Sequence, residues 1–319
     1  MIKPLRHFQY RFLYRNAALL NLKRPIDVSL ELASNCNMRC GYCYHSDSAS
    51  IPFKKGYMDF SIAKLIIVDA ASLGVMSIKT NYRGESTLNP KFLDITNFIK
   101  DHASGSAFID RITNSNFKFN NERGDIFEGL CNQTKVKVSF DSFRKDVMEK
   151  QRIGSNHDLI LKNIDTFYNH PLRIKTDTEL VIQSVITKLN KDEDIYSIAK
   201  KRWPSATISI RDMVSGRVNK DLSSLENKTR DLENRQSCIQ AHARLIFDIE
   251  GNAQVCCPDI SSKLKVGNIL EHNMYDIFNS EAAKEIRRSL KNKSAFDKDP
   301  CKSCSSFESF KGYKHPWSS

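Results

Sequence analysis

Short apolar runs alternate with longer amphipathic stretches along the chain from residue 27 onward. Apolar runs with a two-residue period predict strands, whereas apolar positions spaced by three or four residues predict helices. Their alternation predicts repeated β–α units. The predicted strands are Asp27–Ala33, Ser77–Asn81, Phe108–Thr113, Lys135–Phe140, Leu180–Ile186 and Thr207–Arg211. The main predicted helices are Phe60–Leu73, Pro90–His102, Asp158–Asn169 and Asp192–Lys201.

Six parallel strands with crossover helices predict an α/β fold, a partial (β/α)6 TIM-like barrel that stays open. Side chains that carry out chemistry should then gather at the C-terminal ends of the strands. Four parts are predicted: a basic N-terminal helical extension at 1–26, the barrel at 27–216, a polar linker at 217–236 and a small domain at 237–319.

The pattern changes after the predicted linker. Two apolar runs, Arg244–Ile249 and Ala253–Cys257, flank Glu250-Gly251-Asn252 and predict a β-hairpin with a glycine turn. A single helix, Met274–Leu290, is predicted to follow the hairpin. The C-terminal domain is therefore expected to consist of a hairpin and a helix.

Charge changes the picture at the N-terminus. The chain of 319 residues has a net charge of +12, and its first 24 residues contain six basic and no acidic side chains. Apolar residues among them predict a basic helix with an apolar side. Such a helix is either a surface for an anionic partner or a helix packed on the main domain with a solvated basic face. The second interpretation is favoured.

Nine cysteines are the most informative feature of the composition. No stretch approaches the roughly 20 apolar residues that span a bilayer, and the N-terminus lacks the apolar core of a secretion signal. We therefore expect a cytoplasmic location. Thiols are kept reduced there, so clustered cysteines indicate metal binding or catalysis and not disulfides.

Three cysteines follow the first predicted strand in Cys36-Asn-Met-Arg-Cys40-Gly-Tyr-Cys43. Three thiolates in so short a loop can hold a four-iron cluster and leave one iron without a protein ligand. This CxxxCxΦC spacing resembles that of the radical S-adenosylmethionine superfamily. A zinc site is the alternative, but zinc normally takes a fourth ligand and paired CxxC spacing.

The resemblance implies a set of residues that hold S-adenosylmethionine. Tyr42 would lie against the adenine, and Glu85 would accept hydrogen bonds from the methionine amino group. The turn before Glu85 departs from the family pattern, because an arginine stands where a first glycine is usual. The implied cofactor-binding residues are Tyr42, Gly84, Glu85, Ser139, Asp141 and Arg152. Ordinary roles in capping a strand or solvating a helix remain open for the last three.

A second group of cysteines resembles the auxiliary-cluster domain called SPASM and its shortened form, Twitch. Its predicted ligands are Cys238, Cys256, Cys301 and Cys304. Four thiolates would saturate one [4Fe–4S] cluster, which suits electron transfer. Cys257 is an alternative to Cys256, although the spacing from the hairpin glycine favours Cys256. A structural zinc site is the alternative for the whole group.

Together the two resemblances imply a radical enzyme with two [4Fe–4S] clusters and S-adenosylmethionine. The first cluster would cleave S-adenosylmethionine to a 5′-deoxyadenosyl radical, which removes a substrate hydrogen. The second cluster would oxidise the substrate radical. Dehydrogenation of an alcohol on a sugar or cyclitol is favoured, with electrons from a partner such as flavodoxin or ferredoxin.

Two other functions remain open. A maturase that modifies a ribosomal peptide is the main alternative, although only 26 residues precede the first predicted strand and a leader-binding domain needs about 80. A zinc-stabilised nucleic-acid-binding protein is more remote, since it would leave the CxxxCxΦC motif unexplained. The candidate catalytic residues, placed by the predicted strands to face the pocket, are Tyr82, Arg83, Arg211 and Asp212.

Overall fold

A single mixed sheet organises the chain. The computed structural model describes residues 2–46, 51–120, 124–213, 238–302 and 304. The strands within these ranges lie in the order β6-β5-β4-β3-β2-β1-β7-β8-β9. They are β1 (Asp27–Leu30), β2 (Ser77–Lys79), β3 (Asp110–Ser115), β4 (Lys135–Ser139), β5 (Glu179–Ile186), β6 (Thr207–Asp212), β7 (Arg244–Phe247), β8 (Asn252–Gln254) and β9 (Lys265–Asn268).

Helices connect the strands and cover one face of the sheet. Those of the first half are α1 (Ile2–Arg15), α2 (Ala17–Leu20), α3 (Phe60–Ser72), α4 (Phe92–Asp101), α5 (Asp125–Cys131) and α6 (Lys145–Gln151). Those of the second half are α7 (His157–Tyr168), α8 (Pro171–Thr176), α9 (Ile195–Arg202), α10 (Ile239–Ala243), α11 (Met274–Phe278) and α12 (Glu281–Lys291). No described helix has both the length and the apolar character needed to cross a membrane.

The predicted partial barrel is confirmed, because β1 to β6 pair in parallel in chain order. Alternate side chains of these strands, such as Val28, Ile78 and Val136, belong to the hydrophobic core that the helices cover. Their neighbours along each strand face the opposite side, the interior of the barrel. That interior face is strongly polar, as Ser29, Lys79 and Lys137 illustrate.

The sheet continues past the barrel into the C-terminal part. Strand β7 pairs in parallel with β1, with Arg244 opposite Asp27, and the predicted hairpin forms between β7 and β8. Strand β9, which was not predicted, adds to β8. The barrel and the C-terminal hairpin therefore share one sheet. The linker predicted between them, at 217–236, lies outside the described residues.

The single predicted helix Met274–Leu290 is wrong, because two helices, α11 and α12, occupy this segment. Ser280 separates them. Its backbone is extended and its side chain accepts a hydrogen bond from the amide of Ala283, so it caps the start of α12. Serine is a poor residue inside a helix and a good one at its first position, and that preference divides the segment.

Helix α1 packs on the sheet through one face only. Its His7 side chain lies 3.0 Å from the Asp110 carboxylate, and Tyr10 donates to Asp27. The predicted packing against the main domain is therefore present. The outer face is not purely basic, however, because Leu5 and Phe8 are 69% and 68% exposed.

Asp27 joins three strands and helix α1. Its carboxylate, fully buried, accepts hydrogen bonds from Arg244 at 2.6 Å, Lys79 at 2.6 Å and Tyr10 at 2.9 Å. Burial by itself would raise the pKa of Asp27, but the neighbouring Arg244 and Lys79 outweigh it and hold that pKa well below its usual range. The carboxylate is therefore ionised in the folded protein, and β1, β2 and β7 are held at one point.

We predict that Asp27→Asn lowers the free energy of unfolding by about 3 to 5 kcal/mol, because it leaves two buried cations without their anion. In the wild type, this contribution is present above the unfolded pKa of about 3.9 and is lost as the pH falls towards the lower folded pKa. Urea unfolding as a function of pH measures both effects. Glu281→Gln, in an exposed ion pair with Lys284, is the control and should leave the free energy of unfolding nearly unchanged. Equal losses for the two variants would contradict the role of Asp27.

Candidate active site

The loop with the first three cysteines leaves the C-terminal end of β1 and packs against the turn that follows β2. Gly84 lies in that turn. A Cβ atom there would overlap the carbonyl oxygens of Asn35 and Ala33, and the next residue, Glu85, donates its amide to the Asn35 carbonyl at 2.9 Å. Only glycine permits this approach of the two backbones. The predicted turn and the cysteine loop therefore lie side by side.

The three thiols of this loop are close enough to influence one another. Burial, the Glu85 carboxylate and the other two thiols raise the pKa of Cys36 to about 12, and burial raises the pKa of Cys40 to about 11 despite Arg152 nearby. Thiols with such pKa values are protonated and unreactive at neutral pH. A metal cluster would displace these protons on binding, so the donor set suits three irons of a four-iron cluster.

Glu85 is a buried carboxylate beside this loop. One oxygen accepts the hydroxyl of Thr87 at 2.7 Å, and the other accepts the amide of Asn116 at 2.7 Å. Burial raises the pKa of Glu85, and these hydrogen bonds oppose that effect. The Ser115 hydroxyl also lowers the pKa of Glu85, so several donors already hold this carboxylate in place. The predicted contact with the cofactor amino group stays a prediction.

Asp141, directly after β4, connects the cysteine loop to the barrel. Its carboxylate accepts the Tyr42 hydroxyl at 2.7 Å, Gln151 at 2.9 Å, the Val185 amide at 2.9 Å and Arg152 at 2.9 Å. These bonds use its acceptor positions, so Asp141 holds Tyr42 and Arg152 in place and any contact to a ribose would be indirect. Arg152 also points one guanidinium nitrogen at the Cys40 sulfur, at 3.8 Å.

Asn114 provides a second polar group at this end of the barrel. Its side-chain amide lies 3.4 Å from the hydroxyl of Ser139, one of the predicted cofactor residues. Its side-chain oxygen is buried and has no hydrogen-bond partner within the described ranges. An orphaned buried acceptor carries a desolvation cost that a ligand hydroxyl would relieve. Asn114 was not among the predicted cofactor-binding residues. The pairing of β3 with β4 places it next to Ser139.

Tyr82 and Arg83 connect the barrel to the C-terminal part. Tyr82 donates its hydroxyl to the Asp259 carbonyl at 2.9 Å. The Arg83 guanidinium donates to both Glu31 carboxylate oxygens, at 2.7 and 2.6 Å, and to the Ile260 carbonyl at 3.0 Å. Arg83 is thus a buried ion-pair partner of Glu31.

The register of β6 separates the other two catalytic candidates. Arg211 pairs with Val185 and lies on the barrel face, as Lys137 does two strands away. Asp212 is the next residue, pairs with Ile186 and therefore lies on the opposite face. The expectation that both side chains face the pocket is corrected, because neighbours on a strand point in opposite directions.

The second cysteine group surrounds the N-terminal end of β7. Cys238 precedes α10, and β8 runs antiparallel to β7, so the chain returns to that end before Cys256. Burial raises the pKa of Cys256, and so do four neighbouring thiols. They belong to Cys257, Cys238, Cys304 and Cys301. The four predicted ligands therefore lie near one another, and Cys257 lies among them; its thiol donates to the Gln240 side chain at 3.1 Å.

Residues 238–305 match the SPASM family, described as an iron–sulfur cluster-binding domain. Among solved structures, BtrN in complex with AdoMet and 2-DOIA resembles the chain with a TM-score of 0.59 at 19% identity, covering 88% of this chain and 92% of BtrN. The chain has the fold of radical S-adenosylmethionine enzymes and carries a SPASM domain. No curated protein sequence matches it.

Two further structures share this radical S-adenosylmethionine fold. The anSMEcpe protein with bound AdoMet has a TM-score of 0.64 at 15% identity, covering 88% of this chain and 86% of anSMEcpe. SuiB from Streptococcus suis, bound to S-adenosylmethionine, has a TM-score of 0.64 at 13% identity, covering 83% of this chain and 68% of SuiB. At these identities the likeness establishes the fold.

We predict that Gly84→Ala prevents the first cysteine loop from holding an iron–sulfur cluster, because its Cβ forces the turn away from that loop. Iron per chain after anaerobic reconstitution should fall by about four, the content of one cluster. Gly105→Ala, where nothing lies within 4 Å of the new Cβ, is the control and should keep its iron. Full iron content in Gly84→Ala would contradict the packing described above.

Proposed function

We propose that this protein uses S-adenosylmethionine to remove a hydrogen atom from an alcohol carbon and completes the oxidation through an auxiliary cluster. Cys36, Cys40 and Cys43 would hold the first [4Fe–4S] cluster. Bound there, the cluster and S-adenosylmethionine supply a one-electron reductive cleavage that generates the hydrogen-abstracting radical. Cys238, Cys256, Cys301 and Cys304 would hold the second cluster.

The arrangement of the two cysteine groups carries this proposal. The first group follows the C-terminal end of β1, whereas Cys238 and Cys256 flank the N-terminal end of β7, the strand paired with β1. The polar barrel interior lies between the two ends. A substrate held there would be exposed to hydrogen abstraction from one side and to electron transfer on the other.

The proposed oxidation balances with one external electron donor. The alcohol carbon gives one hydrogen atom to the 5′-deoxyadenosyl group, and its hydroxyl gives up one proton. The remaining electron passes to the auxiliary cluster, and a carbonyl results. The electron that starts the reaction would come from a reductant of the flavodoxin or ferredoxin class.

The chain's own residues would hold the reactants in place. Tyr42 and Arg152, fixed by Asp141, would line the cofactor beside the first cysteine loop, and Glu85 would accept its ammonium group. Ser139 and Asn114 would meet the ribose side. Among the four catalytic candidates, Arg211 is the one we assign to the pocket. Tyr82 and Arg83 would position the C-terminal part, and Asp212 is given no role.

A small-molecule alcohol is favoured over a peptide as the substrate. The BtrN complex contains 2-DOIA besides AdoMet, and the likeness covers nearly the whole of both chains. A peptide-modifying function is the second candidate, because structures of SuiB with its precursor peptide SuiA and of anSMEcpe with the Cp18Cys peptide resemble the chain too. Loss of two hydrogens from a small metabolite would support the first function, and the same loss from a peptide would support the second.

We predict about eight irons per reconstituted chain, falling to about four in Cys36→Ala/Cys40→Ala/Cys43→Ala. With dithionite, the wild type should form 5′-deoxyadenosine from S-adenosylmethionine and the triple variant should form none, as followed by liquid chromatography and mass spectrometry. Cys131→Ala, at a buried cysteine outside both groups, is the control. Bound zinc in place of iron, without cleavage, would refute the proposed function.

We predict different effects for the two adjacent cysteines of the C-terminal group. Cys256→Ser should lower the iron content of the second cluster and abolish formation of the oxidised product while leaving S-adenosylmethionine cleavage in place. Cys257→Ser should keep both clusters, because the Cys257 thiol is bonded to Gln240. Iron content and absorbance of the reconstituted variants measure the effect. Loss of the second cluster in Cys257→Ser and not in Cys256→Ser would make Cys257 the ligand. Full iron content in both variants would contradict an auxiliary cluster at this site.

A further inference from the structure

The barrel interior between the two cysteine groups has an unusual side-chain composition. Pairing of the strands places a set of polar residues on this face, since paired residues of parallel strands share a side. The set is Lys79, Asn114, Lys137, Gln183, Ser209 and Arg211. Three of the six are basic, and the acidic residues that the pairing puts on the same face are Asp27, Asp110 and Glu179.

Nearby carboxylates do not neutralise all of this charge. Asp27 is shared by Lys79 and Arg244, and Glu179 pairs with Lys135 at 3.1 Å. Lys137 forms no hydrogen bond or ion pair with any described residue. An ammonium group that is partly removed from water and has no anionic partner favours the binding of an anion.

The surroundings of Lys137 are both enclosed and cationic. Burial lowers the pKa of Lys137, and together with the charges of Lys79, Arg211, Lys135 and Arg244 it brings that pKa to about 7. Its side chain is nevertheless only half-buried, so it retains accessible surface deep inside the protein. Together these observations place the ammonium group at the wall of the hollow interior, in a positive potential.

We propose that Lys137 and Arg211 bind an anionic group of the substrate, a phosphate or a carboxylate, inside the barrel. This assignment rests on the proposed function and narrows its substrate class to anionic alcohols. Arginine offers a planar pair of donors to such a group and lysine a compact charge. The Arg211 Nε donates to Ser209 at 3.2 Å, which orients the guanidinium along β6. Holding the anion at this wall would orient the reacting carbon between the two cysteine groups.

The test uses the reconstituted holoenzyme with inorganic phosphate or succinate as the probe. The rate of acetylation of each lysine is followed by peptide mass spectrometry over a range of pH, because only the neutral amine reacts. We expect a midpoint near pH 7 for Lys137. Phosphate or succinate should slow acetylation of Lys137 at neutral pH about fivefold, the effect of a pKa rise from about 7 to about 8.

Potassium chloride at equal ionic strength separates specific binding from screening. Protection by phosphate alone identifies a phosphorylated substrate, and protection by succinate alone identifies a carboxylate. Equilibrium dialysis of the same anion should show weaker binding to Lys137→Met, with Lys137→Arg retaining part of it and Lys135→Met as the matched control. Protection no greater than with chloride would overturn the proposal. Lys137 and Arg211 would then only balance the negative charge of the second cluster.

Failure of the anion site and failure of the proposed function are distinguishable. Reductive cleavage of S-adenosylmethionine is measured on the same preparation and does not depend on the probe. Cleavage without anion protection refutes the anion site alone. Protection without cleavage refutes the proposed function, and the anion site would then belong to a different activity.

Discussion

The buried ion pair between Asp27 and Arg244 sets the register of β1 against β7, and the rest of the structure depends on that register. The two residues lie opposite each other on paired strands, so a shift of β7 by one position would bury both charges without partners. This cost makes alternative registers unfavourable. Because β7 is fixed, the hairpin that follows it carries Cys256 back to a defined place below the barrel.

Other buried charges are arranged in the same manner around the two cysteine groups. The Arg83–Glu31 pair ties the turn after β2 to β1 and, through the Ile260 carbonyl, to the C-terminal part. The Asp141–Arg152 pair supports the first cysteine loop from the opposite strand. Buried pairs of this kind contribute little net stability relative to apolar residues of the same size. Their benefit here is positional, since each joins two elements that border a cluster site.

Much of the fold followed from the sequence because the barrel strands are short segments with apolar residues at alternate positions, separated by amphipathic helices. All six barrel strands and both cysteine groups lie where the patterns indicated. The short strand β9 was not predicted, because Lys265–Asn268 contains only one residue with a strongly apolar side chain. It forms through pairing with β8. The break at Ser280 was missed because apolar periodicity continues across it.

Roles of individual polar residues were harder to obtain from the sequence. Arg83 was interpreted as a pocket candidate, yet its partner Glu31 lies 52 positions earlier, and no local pattern connects the two. Lys137 was not singled out, although Lys135, Lys137 and Ser139 alternate with valines along β4. Such alternation in a barrel strand marks a polar interior face. Only the strand order reveals which other charges share that face.

The central claim is that one of two clusters has an open iron that binds S-adenosylmethionine. Mössbauer spectroscopy of the protein reconstituted with the Mössbauer-active iron isotope tests it directly, before and after addition of S-adenosylmethionine. The account predicts two [4Fe–4S] clusters in equal amounts, with about one-eighth of the iron absorption changing when the ligand binds. Spectra that do not respond, or a response from both clusters, would contradict the account.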